Sequence, residues 1–197
     1  MTTEEKIFEA AKIIFHKKGF AGARMQEIAD EAGINKAMLH YCFKNKQVLF
    51  EAVFKKAFGQ LAPQINQIFT SEKSLFDKIT DFTQNYISFI IENPFLPAFI
   101  IQEMNSNPEF VMSFMNTDNR PNPTILIAQI EREIKAGIIN PIPPKQLLLT
   151  IFSLTIFPFA AHMLVKSMLH LSPEEFLQMM EERKTTIAQQ IINSIKK

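Results

Sequence analysis

Between Glu31 and Glu51 the chain carries no acidic residue, while Lys36, Lys44 and Lys46 fall within the same stretch. Leu39 and Phe43 stand four residues apart there, on one face of a helix, which leaves Lys36, Ala37, Met38, His40, Tyr41 and Cys42 on the other faces. A cation, an imidazole, a phenol and small or apolar groups on one short helix suit phosphate oxygens and base edges in a DNA major groove. The charge distribution agrees. Residues 1–60 carry ten Lys/Arg against seven Asp/Glu, and the remainder carries eleven against thirteen, although the net charge is only +1.

Catalytic chemistry finds no comparable grouping. His16, His40, His162 and His170 are scattered, and there is no HExxH, GxSxG or phosphate-binding glycine loop, so no enzyme is expected. Cys42 is the single cysteine, which excludes an internal disulfide and a cysteine-based zinc site and fits a reducing cytoplasm. No metal or cofactor is expected.

These residues need a scaffold, and the pattern around them supplies one. Ile7, Ala10, Ala11, Ile14 and Phe15 recur at helical spacing, Thr3 can cap the start, and Gly19 ends this first helix. A second helix spans about Met25 to Ala32. Gly33 breaks it at a turn needing positive φ, and a third runs from about Asn35 to Phe43. Two short helices joined through such a turn form a helix-turn-helix unit. Ala29 keeps the pair close, and Ile34, Leu39 and Phe43 peg the recognition helix down.

Beyond Lys46 the chain reads as helix after helix. The first reaches about Phe69 and should bend at Pro63; others cover Ser74 to Glu92, Pro94 or Pro97 to Asn107, a short helix from Glu109, and Thr124 to Ala136, with a loop at Thr117 to Pro123. Gln146 to Val165 holds no charge, approaching the length of a membrane span, but Thr150, Ser153, Thr155, Pro158 and His162 favour a buried helix over 144–169 at a dimer seam. Ser172-Pro173-Glu174-Glu175 is a helix start, with a hydroxyl cap, proline at the first position and acids in the first turn. Only 5 Gly and no convincing strand point to an all-α fold, with a three-helix DNA-binding domain at 1–46 and a larger domain of about nine helices at 47–197.

The ordered run from Gly19-Phe20 through Ile28-Ala29-Asp30-Glu31-Ala32-Gly33-Ile34 to Lys44-Asn45-Lys46-Gln47-Val48-Leu49 resembles the DNA-binding domain of TetR-family regulators, in register over about residues 3–54. The resemblance implies a cytoplasmic regulator of transcription that binds a near-palindromic operator as a homodimer. It also implies base-edge contacts from Ala37, Met38 and Tyr41, and phosphate contacts from His40 and Lys46. Ala23-Arg24 replaces the usual hydroxyl pair entering the second helix, so Arg24 is expected to reach a phosphate instead of a hydroxyl capping the helix. Ala37-Met38 and Cys42 also depart from the family pattern, so the operator sequence does not follow.

The C-terminal half is rich in Phe and Met, with 19 and 10 in the whole chain. Phe82, Phe89, Phe99, Met104, Phe110, Phe114, Phe152 and Phe157 are candidates for an adaptable apolar pocket, with His162 as its polar anchor. Similar regulators bind lipophilic molecules there and leave DNA. The alternative is a DNA-binding protein switched by a protein partner, whose C-terminal core would be filled.

Overall fold

The computed structural model describes residues 1–94, 96–106, 108–115 and 121–197, with side chains apart from those at positions 99, 102, 106, 111, 114 and 115. Helix α1, Thr3–Gly22, starts at Thr2: its hydroxyl accepts from the Glu5 amide at 3.2 Å, and the Glu5 carboxylate accepts from the Thr2 amide at 2.7 Å. The cap is therefore Thr2, not Thr3, because Thr2 is the hydroxyl with a glutamate three residues on. Gly19, at φ 66° and ψ 175°, interrupts α1: the regular helix stops there, as expected, and a short helical turn runs on to Gly22.

Helices α2 (Met25–Glu31) and α3 (Lys36–Cys42) follow, joined through Gly33 at φ 66°. The Ile34 amide donates to the Ala29 carbonyl at 3.0 Å and closes the turn. Asn35 caps α3 by accepting from the Met38 amide at 2.7 Å.

Helix α4, Lys46–Thr70, crosses Pro63 without a break. Its first half, with Leu49, Phe50, Val53, Phe54 and Ala57, completes the core built by α1, α2 and α3. Phe15 and Phe50 are fully buried with ring centroids 4.6 Å apart, and Phe20 sits 5.2 Å from Phe50. The second half, with Leu61, Ile65, Ile68 and Phe69, belongs to a separate core. One helix thus shares its apolar face between two cores.

That second core is made with α5 (Leu75–Glu92), α8 (Thr124–Lys135), α9 (Pro144–Ala160) and α11 (Pro173–Ile195). Helices α5 and α11 lie against one another, and α6 (Leu96–Ser106) and α7 (Pro108–Met115) complete the domain near α4 and α9. Eight helices thus follow α3 among the described residues, counting α10 below, and none of those residues forms a strand. Lys78 is buried where α4 meets α5, and its ammonium donates to the Phe69 carbonyl at 2.9 Å and to Gln129 Oε1 at 2.7 Å. A cation is well placed there, against the carbonyl end of α4.

The charge-free stretch is not one helix. It breaks at Ala161 into α9 and α10 (His162–Leu169), whose axes differ by 77°. Pro158 has no amide hydrogen, so the Leu154 carbonyl loses its partner within α9. Arg183 of α11 donates to that carbonyl at 2.8 Å, so the irregularity is held by a partner from another helix. No single described helix is long and apolar enough to cross a membrane.

Candidate nucleic-acid interface and its linked cavity

Leu39 and Phe43 are buried, and their burial turns the rest of α3 outward. Lys36, Ala37, Met38, His40, Tyr41 and Cys42 are all exposed, Tyr41 at 88%. The structure thus brings together the outward face expected from spacing. His40 Nδ1 lies 3.2 Å from the Lys44 carbonyl, an arrangement that orients the ring and leaves Nε2 outward. Cys42 is an exposed free thiol.

The entry to α2 lacks a hydroxyl cap, and half of a capping box replaces it. Glu27 accepts from the Arg24 amide at 3.3 Å and from Lys18 Nζ at 2.8 Å. The Lys18 ammonium, ahead of other causes, holds the Glu27 carboxyl below its ordinary pKa. Arg24 itself is exposed.

Lys46 departs from the expectation. Its ammonium donates to the carbonyls of Phe20 at 2.7 Å, Ala21 at 3.2 Å and Ala23 at 3.0 Å, and lies 4.7 Å from the centre of the Phe20 ring. Three carbonyls at the C-terminal end of α1 and just beyond it take all three N–H groups. In this structure Lys46 is a brace between α1 and α4 rather than a cation presented outward, and Lys36 and Lys44 are the exposed ammonium groups nearby.

A cavity lies farther along α4. It measures about 480 Å³ and is walled by Phe54, Phe58, Leu61, Ile65 and Phe69 of α4, by Tyr86 and Phe89 of α5, by α6 and by Phe152 and Ile156 of α9. Of the residues expected there, Phe89, Met104 and Phe152 line it. Phe82 is instead fully buried between Phe69 and Phe152, and Phe110 packs on Phe54 in the N-terminal core. Phe157 is 58% exposed beside Arg183 on the outer side of α9. His162 faces a different cleft, because the 77° break turns α10 away from the cavity, and its Nδ1 is 3.1 Å from the Phe159 carbonyl. The side chains of Phe99 and Phe114 lie outside the described residues, as do positions 116–120 of the expected loop.

Sequence reasoning missed the α4 wall and Tyr86. The period of α4 showed an apolar face, but its division between a filled core and an open cavity depends on what the other helices bring. Tyr86 is the one polar side chain among the described lining residues, and its hydroxyl has no hydrogen-bond partner among them. Burial pushes its pKa up to about 12, so the phenol stays neutral and able to donate.

A side-chain hydrogen bond connects the start of α4 with α6. Gln47, next to Lys46, donates to the buried Glu103 of α6 at 3.2 Å, and α6 also lines the cavity through Leu96, Pro97, Ile100 and Met104.

Residues 7–53 match the family described as bacterial regulatory proteins, tetR family. The chain is 24% identical over 177 residues to the probable HTH-type transcriptional regulator YttP of Bacillus subtilis, covering 89% of this chain and 86% of that one. Among solved structures, a mutant of HlyIIR superposes with a TM-score of 0.67 at 23% identity, over 98% of this chain and 97% of that one. FadR from Bacillus subtilis, solved in complex with stearoyl-CoA, gives 0.64 at 15% identity, over 95% and 97%. With its Gly33 turn and its outward α3 face, the N-terminal run is a helix-turn-helix that matches the tetR-family model, and the chain as a whole is similar to helix-turn-helix transcriptional regulators.

Proposed function

We propose that this regulator is a repressor released from a near-palindromic operator by a small, largely apolar ligand, working in the cytoplasm as a homodimer. Residues 1–46 form the DNA-binding unit and residues 47–197 the ligand-binding and dimerisation domain, with α4 common to both. Ala37, Met38 and Tyr41 meet base edges, with Cys42 on the same face; His40, Arg24 and Lys36 meet phosphates.

One observation carries this reading: the apolar cavity is walled by five residues of the same helix that begins beside the recognition unit. A ligand that spreads α4 from α6 loads the Gln47–Glu103 bond and the Lys46 brace, and so changes the spacing of two recognition helices in a dimer. The cavity offers no charged group among its described lining residues, and a single neutral phenol, which fits an uncharged ligand with one acceptor. FadR, a fold neighbour, carries stearoyl-CoA, which supports a ligand-binding role for such a domain. Control by a protein partner alone would suit a filled C-terminal core, and the cavity counts against it.

The dimer seam follows from the apolar surface left on α9 and α10. Leu149, Met163, Leu164, Met168 and Leu169 are each more than half exposed, and a second copy would cover them.

The test is a thermal-shift screen of uncharged apolar compounds, followed by operator titration with each hit. Hits that weaken operator binding, and lose that effect in Tyr86→Phe or Ile65→Phe, support release through this cavity. The absence of any hit that weakens it would favour partner control.

A further inference from the structure

We propose that the cleft between the DNA-binding unit and the α10–α11 corner is a second binding site, separate from the apolar cavity, and takes an amphiphilic anion. It encloses about 650 Å³, within the range of small-molecule sites. Its floor is apolar, with Phe20 of α1, Ile91 of α5, Phe159 of α9 and Phe176 of α11.

Its rim is cationic and drawn from both units. Lys17 and His16 come from α1, and Lys166 and His162, one turn apart, come from α10. Neither the Lys17 nor the Lys166 ammonium has an ion-pair or hydrogen-bond partner among the described residues, unlike that of Lys18, which is engaged by Glu27 at 2.8 Å. The acid in the lining is Glu174. It sits in the first turn of α11, where its own backbone amide and the Ser172 hydroxyl hold its pKa down. Two ammonium groups and two imidazoles thus stand around the cleft with one carboxylate.

An anionic head between Lys17 and Lys166 would meet charge from two sides, while its apolar body covers the aromatic floor. Neither the carboxylate nor the phosphate form of the head is singled out by this rim. What the cleft disfavours is an uncharged ligand, the opposite of the apolar cavity.

Position gives the site a consequence. Phe20 forms part of the floor, and its carbonyl and ring are the groups that Lys46 holds from α4. An occupant pressed on Phe20 acts on the joint between α1 and α4 and ties the DNA-binding unit to α10 through two lysines. Anion binding and operator binding are then linked, whichever sign the linkage takes.

The experiment is calorimetric titration of the full-length protein with decanoate, decyl phosphate and decanol, each below its aggregation threshold. Both anions should bind, and a Lys17→Gln, Lys166→Gln double variant should weaken them by about tenfold or more. Ile65→Phe and Ile100→Phe, which fill the apolar cavity from different helices, should leave anion binding within about twofold. Thermal melting establishes that each variant folds. Failure of both anions to bind, decanol binding as tightly as they do, or anion binding that survives the lysine changes but falls in both cavity variants would overturn the proposal. The apolar-ligand reading stands or falls separately, since its readout is operator release by an uncharged compound.

Discussion

At the scale of single residues, Lys46 and Tyr41 divide the work of the N-terminal unit. Tyr41 is 88% exposed, and its side chain is free to meet a base edge. Tyr41→Ala should shift preference among operator variants by about 1–3 kcal/mol at the contacted position, measured by titration of single-base substitutions. Lys36→Gln should weaken all sequences alike, and the dimer, losing two phosphate contacts, should show a log–log salt slope shallower by about 1.8. Lys46→Met should behave differently from both. Removing the ammonium leaves the carbonyls of Phe20, Ala21 and Ala23 without their donor, so the melting temperature falls and operator affinity drops, while the salt slope stays near that of the wild type. Tyr86 adds a pH signature. The unfolded phenol ionises near 10, whereas the folded one holds its proton to about 12, so unfolding free energy should fall as pH rises through that window. Tyr86→Phe should flatten the fall. The outward face of α3 was legible in the sequence because Leu39 and Phe43 leave little choice about which side is buried. The inward turn of Lys46 was not: a lysine reaches far, and the carbonyls that hold it come from the end of α1, up to 26 residues away in the chain.

At the scale of elements, the helix starts at Ser74 and Ser172 and the Gly33 turn were legible, since caps and positive φ are set by local chemistry. The α9–α10 break was not, although Pro158 was in plain view. A proline in a helix can be tolerated or can break it, depending on whether something else satisfies the orphaned carbonyl. Here Arg183, 29 residues on, does so for Leu154. A double-mutant cycle tests this pairing. Arg183→Met should cost about 1–3 kcal/mol in the wild type by leaving that carbonyl unsatisfied. In a Pro158→Ala background the restored amide can bond the carbonyl, and the same substitution should cost markedly less in denaturant unfolding. Equal costs in the two backgrounds would mean that Arg183 acts elsewhere. The same break explains why His162, placed in the pocket by its position along an uninterrupted helix, faces another cleft.

At the scale of the whole molecule, the all-α architecture followed from scarce glycine and persistent helical periodicity, whereas the cavity depended on how four helices meet. Periodicity marks an apolar face but says nothing of whether that face is filled; Phe82 and Phe89 share α5, yet one is core and the other lines a cavity. The exposed apolar face of α9 and α10 calls for a second subunit. Met163→Glu with Met168→Glu should convert a dimer to a monomer by light scattering and abolish tight operator binding, since each monomer keeps only half of a palindromic site.

Release by ligand is tested most directly by titrating operator DNA with and without a saturating uncharged apolar compound that raises the melting temperature. In the wild type the dissociation constant should rise about tenfold or more, a coupling of roughly 1.4 kcal/mol, and DNA should weaken ligand binding by the same factor. Ile65→Phe, with the cavity filled from α4, should bind operator as the wild type does and ignore the compound. A compound that binds tightly in the wild type, fails to bind the filled variant and still leaves operator affinity unchanged would contradict ligand release.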